Sequence, residues 1–208
     1  MSGIIETDAD VARGAAWLAA RCPRMAYAHD LCAPLPLRRR PDGFAQLLSA
    51  IVSQQVSVAS ANAIWGRLEG AGLTDPDAVL ALTEDELRAL GLSRQKAAYA
   101  HALAGAGIDF PALRTAPTHE VIRTLTAVKG IGVWTAEIYA KFSLGHADVF
   151  AAGDLALQEG ARMLYDLPDR PSERALRAMA EGWSPWRSVA ARMLWAYYHV
   201  MKQREGIR

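Results

Sequence analysis

Apolar positions recur three and four residues apart over most of the chain, and no stretch alternates apolar and polar residues long enough to describe a strand. The pattern predicts helices throughout. A first helix starts near Thr7 or Asp8 and ends before Pro23, and the proline- and arginine-rich stretch CAPLPLRRRPDG, from Cys32 to Gly43, reads as a connection. Helical spacing resumes over Phe44 to Ser53, Ser57 to Glu69, Asp77 to Leu82, a Thr83-to-Glu86 capping box into Leu90, and Ser93 to Gly105. Thr118 to Ala127 follows Pro117, and Val133 to Ser143 sets Trp134, Ile138 and Phe142 on one face. The sequence Leu155-Ala156-Leu157-Gln158 opens a further helix after Asp154. The last helix has the clearest pattern. Ser184 suits its N-cap, Pro185 its first turn, and Trp186, Val189, Ala190, Met193, Leu194 and Tyr197 form an apolar stripe.

Between Ala127 and Val133 the chain must reverse within Gly130-Ile131-Gly132, where glycine tolerates positive φ without steric cost. Ile131 can then point inward as an apolar pin, while the unpaired N–H groups opening the second helix point outward with the positive end of the helix dipole. Such an end accepts a phosphate. For the two glycines alone, an ordinary helix connection is the simpler reading. Asp154, after Gly153, is positioned to cap the helix that follows it, which on its own is a structural role.

Composition adds limits to this all-α reading. The 208 residues suffice for one sizeable core or two smaller ones, and Ala and Leu dominate. A net charge of +1 argues against a protein that coats nucleic acid and permits one that docks through a local patch. No apolar run reaches membrane-spanning length, and MSGIIETDAD lacks a basic region followed by an apolar core, so a soluble, cytoplasmic protein is expected. Cys22 and Cys32, with His29 between them, lack a fourth ligand and a recognised metal spacing; two reduced thiols are expected. No metal-protease, GxSxG or Walker pattern occurs.

The hairpin VKGIGVWTA, the helix after it and DVFAAGD together resemble the helix-hairpin-helix (HhH-GPD) DNA glycosylase superfamily. Within it, Trp134-Thr135-Ala136, the segment IVSQQVS from Ile51 to Ser57, and GWSPWRS around Trp183 to Ser188 resemble the 3-methyladenine DNA glycosylase II (AlkA-like) branch. The resemblance spans about Phe44 to His199. It implies two helical subdomains with a DNA-binding cleft between them: 44–144, ending in the hairpin, and 1–43 with 145–208. Longer relatives carry an extra N-terminal β-rich domain with no counterpart in these residues.

The resemblance assigns Asp154 as the catalytic residue, since cleaving an N-glycosidic bond builds positive charge on the sugar that a fixed carboxylate stabilises. An alkylated purine is already cationic and leaves with little acid catalysis. Trp134 occupies the position of the lysine nucleophile in bifunctional relatives, and Lys129 is out of register with it, which implies a monofunctional hydrolase. Trp134, Trp186 and Ile138 are the implied base-pocket residues. Ile138 replaces a tyrosine found in some relatives, and Trp183 is read as core. Gln55 is the wedge that enters the stack, with Gln54 beside it. Gly130, Ile131, Gly132, Val133 and Thr135 meet the DNA, and Arg38 to Arg40 and Lys141 are candidate phosphate contacts. The carbonyls of Thr126, Val128 and Ile131 would hold a monovalent cation, Na+ or K+. No other cofactor is implied, and without a late four-cysteine cluster no iron-sulfur cluster can be built. The implied activity is excision of alkylated purines such as 3-methyladenine or 7-methylguanine from double-stranded DNA, by a monomer. Two alternatives remain: a glycosylase for deaminated or mismatched bases, and a non-catalytic hairpin module, which would need neither Asp154 nor a pocket.

Overall fold

Most helices begin where a short polar side chain covers the open amides of the first turn. Thr7, Ser57, Thr83, Ser93 and Ser172 each accept a hydrogen bond from the N–H three residues on, and Thr7 and Thr83 complete reciprocal capping boxes with Asp10 and Glu86. The computed structural model describes residues 3–204. Its helices are α1 (Asp8–Ala19), α2 (Pro23–Cys32), α3 (Phe44–Val52), α4 (Val58–Gly70), α5 (Pro76–Leu80), α6 (Glu84–Ala89), α7 (Arg94–Ala104), α8 (Phe110–Leu113), α9 (Thr118–Thr126), α10 (Val133–Tyr139), α11 (Leu155–Leu164), α12 (Glu173–Met179) and α13 (Arg187–Arg204). A π turn, Ala140–Leu144, follows α10, and a 3-10 turn, Ala180–Trp183, follows α12. Among the described residues the only β pairing is an isolated bridge between Ile4 and His146. The fold is all-α.

The chain forms two compact units, a continuous one, Arg40–Tyr139, and a segmented one, Met1–Arg39 with Ala140–Arg208. In the continuous unit α3 is a core helix beside α7, which also packs on α5 and α6. Its Leu47, Leu48, Ile51 and Val52 are buried, and it packs on α4 and α7. In the segmented unit α13 has that place, packing on α1, α2 and α11 through Val189, Ala190, Met193 and Leu194. The crossings fall at Arg39–Arg40 and Tyr139–Ala140, a few residues before the expected 43/44 and 144/145. At the first of these, Asp42 pairs with Arg114 and the Gly43 amide donates to Tyr139 Oη at 2.7 Å, tying both residues into the continuous unit.

Three elements depart from the sequence pattern. Pro23 does not mark only a stop: it opens α2 as its first residue, and α2 escapes periodicity because only Met25 and Ala28 are buried in it. Ser184 does not cap the last helix. Its hydroxyl donates to Asp148 Oδ2 at 2.9 Å, and the first helical acceptor is the Trp186 carbonyl, bonded by the Ala190 amide at 3.0 Å, so α13 starts at Arg187. Val133 to Ser143 is not one α-helix, because the path widens into the π turn after Tyr139.

Asp148 binds Arg187 Nε at 2.6 Å and Nη2 at 2.9 Å as well as Ser184. Burial alone would raise its carboxyl; the bonds from Arg187 and Ser184 outweigh it and hold the group below the usual 3.8. A depressed carboxyl stabilises the fold above its unfolded pKa and loses that contribution as pH falls through the folded one. Asp148→Asn is therefore expected to destabilise the segmented unit by about 1–2 kcal/mol at pH 7, the side chains being only partly exposed. The difference should close below about pH 4. Thermal melts of both proteins across pH 3–7 check this.

Candidate functional site

The hairpin lies between α9 and α10. The Val128 amide donates to the Leu125 carbonyl and the Ile131 amide to that of Val128, both at 3.1 Å, so the turn closes on itself. Ile131 is 4% exposed and is the inward pin its position predicts. The two glycines differ. Gly130 has φ +99, and the Tyr99 ring lies where its Cβ would be, whereas Gly132 has ordinary φ and open space around that position. The expected need for glycine thus holds at Gly130 and not at Gly132. Gly132 and Val133 are exposed, and Trp134 is 47% exposed, unusual for a large indole. Ile138 is half-buried. Thr135 is 8% exposed, which removes its side chain from the expected DNA-facing set.

Beside the hairpin, Ser53 to Ser57 turn the chain from α3 to α4. Gln55 is exposed with φ +54, a left-handed conformation that costs a non-glycine residue about 1–3 kcal/mol and is held only by its surroundings. Gln54 is half-buried, and its Nε2 donates to the Gly130 carbonyl at 3.0 Å. The Ser53–Ser57 turn and the hairpin share a pocket of about 620 Å³ lined by Gln54, Gln55, Gln95, Lys96, Tyr99 and Gly130 among others. Lys96 carries no site motif, yet a signal was present. It falls in phase with the buried Ala97, Ala100, Leu103 and Ala104 of α7, a cation on an apolar stripe.

In the segmented unit Asp154 is the N-cap of α11. Its Oδ1 accepts the amides of Ala156 at 2.9 Å and Leu157 at 3.3 Å, and its own carbonyl accepts the Gln158 amide at 3.0 Å. The carboxylate is half-buried and sits at the positive end of a ten-residue helix, a setting that complements negative charge. Nearby cations come from other elements of the unit. Lys141, on the π turn, is only 4% exposed, so it is not the phosphate contact expected of it. Burial pushes its amine well down, Arg192 and Arg38 add to that, and Asp154 opposes them. Arg192 donates to the carbonyls of Ser188 and Leu37 at 3.0 Å each, and burial with Arg39 and Arg38 lowers it to about 10. Arg38 stacks on the Trp195 ring, its guanidinium carbon 3.7 Å from the ring centroid.

Trp183 is buried against Phe150 and Tyr165, the core position expected. Trp186, expected in the base pocket, rests half-buried on α1, where Gly14 leaves room for its ring and Arg13 lies 5.8 Å from the ring centroid. At least one face therefore serves packing. Cys22 Sγ lies 3.5 Å from Tyr165 Oη. Among the carbonyls expected around a cation, that of Val128 already accepts the Ile131 amide through one lone pair. No helix among the described residues is long and apolar enough to cross a membrane.

A family model described as "HhH-GPD superfamily base excision DNA repair protein" matches residues 48–185, a span that includes the Ser53–Ser57 turn, the hairpin and Asp154. DNA-3-methyladenine glycosylase 1 of Schizosaccharomyces pombe is 32% identical over 165 residues, covering 75% of this chain and 72% of that protein. DNA-3-methyladenine glycosylase 2 of Escherichia coli is 31% identical over 168 residues, covering 74% of this chain and 57% of that one. Among solved structures, a DNA-3-methyladenine glycosidase from Bacillus halodurans superimposes with a TM-score of 0.81 at 31% identity, covering 98% of this chain and 94% of the other. The S. pombe 3-methyladenine DNA glycosylase in complex with abasic DNA superimposes with a TM-score of 0.75 at 28% identity, covering 88% and 95%.

Proposed function

The chain belongs to the HhH-GPD superfamily of base excision DNA repair proteins, and from that premise we propose that it is a monofunctional DNA glycosylase for alkylated purines in duplex DNA. The observation that carries the reading is Asp154. A carboxylate fixed on two backbone amides at a helix start lies within the matched span, at the position where the family resemblance assigns the catalytic residue. The relatives named as 3-methyladenine glycosylases supply the substrate class.

In this reading the base leaves the stack before any bond breaks. Gln55 fills the gap left in the duplex. The amides of the exposed Gly132 and Val133 and the turn at Gly130 receive a backbone phosphate, and the carbonyls of Thr126, Val128 and Ile131 would hold a Na+ or K+ ion, which would supply positive charge beside that phosphate. The indole of Trp134 attracts a base that carries a formal positive charge by about 0.5–2 kcal/mol, which favours alkylated over normal purines without a dedicated set of hydrogen bonds. Bond cleavage leaves the electron pair on the base and positive charge on the deoxyribose. Asp154 stabilises that charge and orients the water whose oxygen bonds to C1′ as one of its protons passes to solvent. Trp134 cannot form a Schiff base, so the product is an intact strand with an abasic site.

The test is a panel of duplexes carrying 7-methylguanine, 3-methyladenine, hypoxanthine or uracil, with base release and strand scission measured separately. Release of the methylated purines without scission is expected. Release confined to hypoxanthine or uracil would move the protein to the deaminated-base class, and scission through a borohydride-trappable adduct would overturn the monofunctional assignment.

A further inference from the structure

The α3–α4 turn is fastened at both sides by side chains that touch no reacting atom. Gln54 ties it to the hairpin at the Gly130 carbonyl. On the α7 side Lys96, 9% exposed, sends its Nζ to the Val52 carbonyl at 2.6 Å. Val52 is the last residue of α3, so this carbonyl is one of the four that a helix leaves without an internal partner. A cation there also meets the negative end of the helix dipole. Ser53 adds a third tie, its hydroxyl donating to the Ser49 carbonyl at 2.8 Å. The residue these bonds enclose is Gln55, exposed and left-handed.

A buried lysine is a costly way to fill space, because its ammonium must leave water; burial accordingly lowers its pKa. What Lys96 offers beyond packing is a charged donor to one carbonyl at the root of the turn. A wedge that must enter a base stack works best when its backbone is already in the inserting conformation, since any ordering still to be done opposes extrusion.

We propose that Gln54 and Lys96 are positioning residues for base extrusion, which lock the α3–α4 turn to the hairpin and to α7 so that Gln55 is presented as a preformed wedge. This rests on the wedge role of Gln55 in the proposed function. The device predicts that the two residues matter in proportion to how firmly the lesion is stacked and paired.

The experiment uses the full chain with Lys96→Met, Lys96→Arg, Gln54→Leu and Gln55→Ala, on duplexes with 7-methylguanine opposite cytosine or opposite an abasic site. Single-turnover excision opposite cytosine should fall roughly tenfold to a hundredfold for Lys96→Met and Gln54→Leu. The loss should shrink severalfold opposite the abasic site, where extrusion is already cheaper, and Lys96→Arg should restore most of it. Equal loss on both duplexes, or none, overturns the proposal. Gln54→Leu keeps the test open should Lys96→Met fail to fold. A second readout does not depend on the lesion: 2-aminopurine beside a stable abasic analogue should brighten when the wild type binds, and much less with either positioning variant. If the wild type brightens the probe through Lys96 and Gln54 but releases no methylated base, the positioning role stands and the substrate reading falls. If it releases base while the variants brighten the probe equally, the positioning role falls alone. An unchanged probe with wild type also overturns it.

Discussion

Asp154→Asn is expected to lower single-turnover release of 7-methylguanine from duplex DNA by about a thousandfold, within a range of about 10² to 10⁴ for losing a charge aimed at the transition state. The fold should barely change. Oδ1 of Asp154 accepts the amides of Ala156 and Leu157, and an asparagine oxygen accepts the same bonds, so the cap is kept and the stability change should stay near about 1 kcal/mol, from the charge lost at the helix start and beside Lys141. Asp154→Ser separates the two roles further, because serine caps as well as asparagine yet brings no carboxylate. If capping were the whole of its function, the serine variant would release base at the wild-type rate. Binding to duplex with a stable abasic analogue provides the control, since neither variant touches the hairpin. Retained binding with release reduced in both variants assigns Asp154 to the chemical step; release equal to wild type in either would remove the charge from the mechanism.

The features legible from sequence were those whose physics is local. A glycine pair between two helical periods requires a reversal wherever the rest of the chain goes, and an aspartate before an apolar helix start caps that helix; Gly130 and Asp154 follow these rules. Burial is not local, and it accounts for the corrections at Lys141 and Thr135. Lys141 has the residue type of a surface cation, and on the π turn after Tyr139 it lies inside. Thr135, next to the half-exposed Trp134, looked like part of the same outward set, although helical residues one apart point in different directions. Ser184 had the residue type and place of an N-cap, and lost that role to a carboxylate 36 residues earlier in the chain. Periodicity has no term for such a competitor. The ties of Gln54 to Gly130 and Lys96 to Val52 span 76 and 44 residues, so no window of sequence could pair them. Only the placing of Lys96 on an apolar stripe hinted at its burial.

The two hairpin glycines lead to the second large effect, because GxG treats as equivalent two residues that the structure separates. Gly130→Ala is expected to destabilise the continuous unit by about 2–6 kcal/mol. Positive φ contributes about 1–3 of that, and forcing a methyl into the Tyr99 ring another 1–3. That is a large part of the roughly 5–15 kcal/mol that holds a domain together. Because the Gly130 carbonyl also anchors Gln54, the α3–α4 turn and the hairpin should loosen together, with duplex affinity falling even where the protein remains folded. Adding Tyr99→Ala should recover part of the loss and no more, since the clash disappears while the backbone strain stays. A double-mutant cycle should therefore give a favourable coupling of about 1–3 kcal/mol. Gly132→Ala meets no neighbour and no positive φ, so its melting temperature should stay near wild type. If the exposed turn accepts a phosphate, a methyl there still blocks the close approach of the backbone, and affinity should fall without any cost in stability. Melts and duplex-binding isotherms of the wild type and the four variants at one salt concentration would distinguish a glycine needed for the turn from one needed for the ligand. Equal destabilisation by both alanines would mean that the hairpin is not built as described.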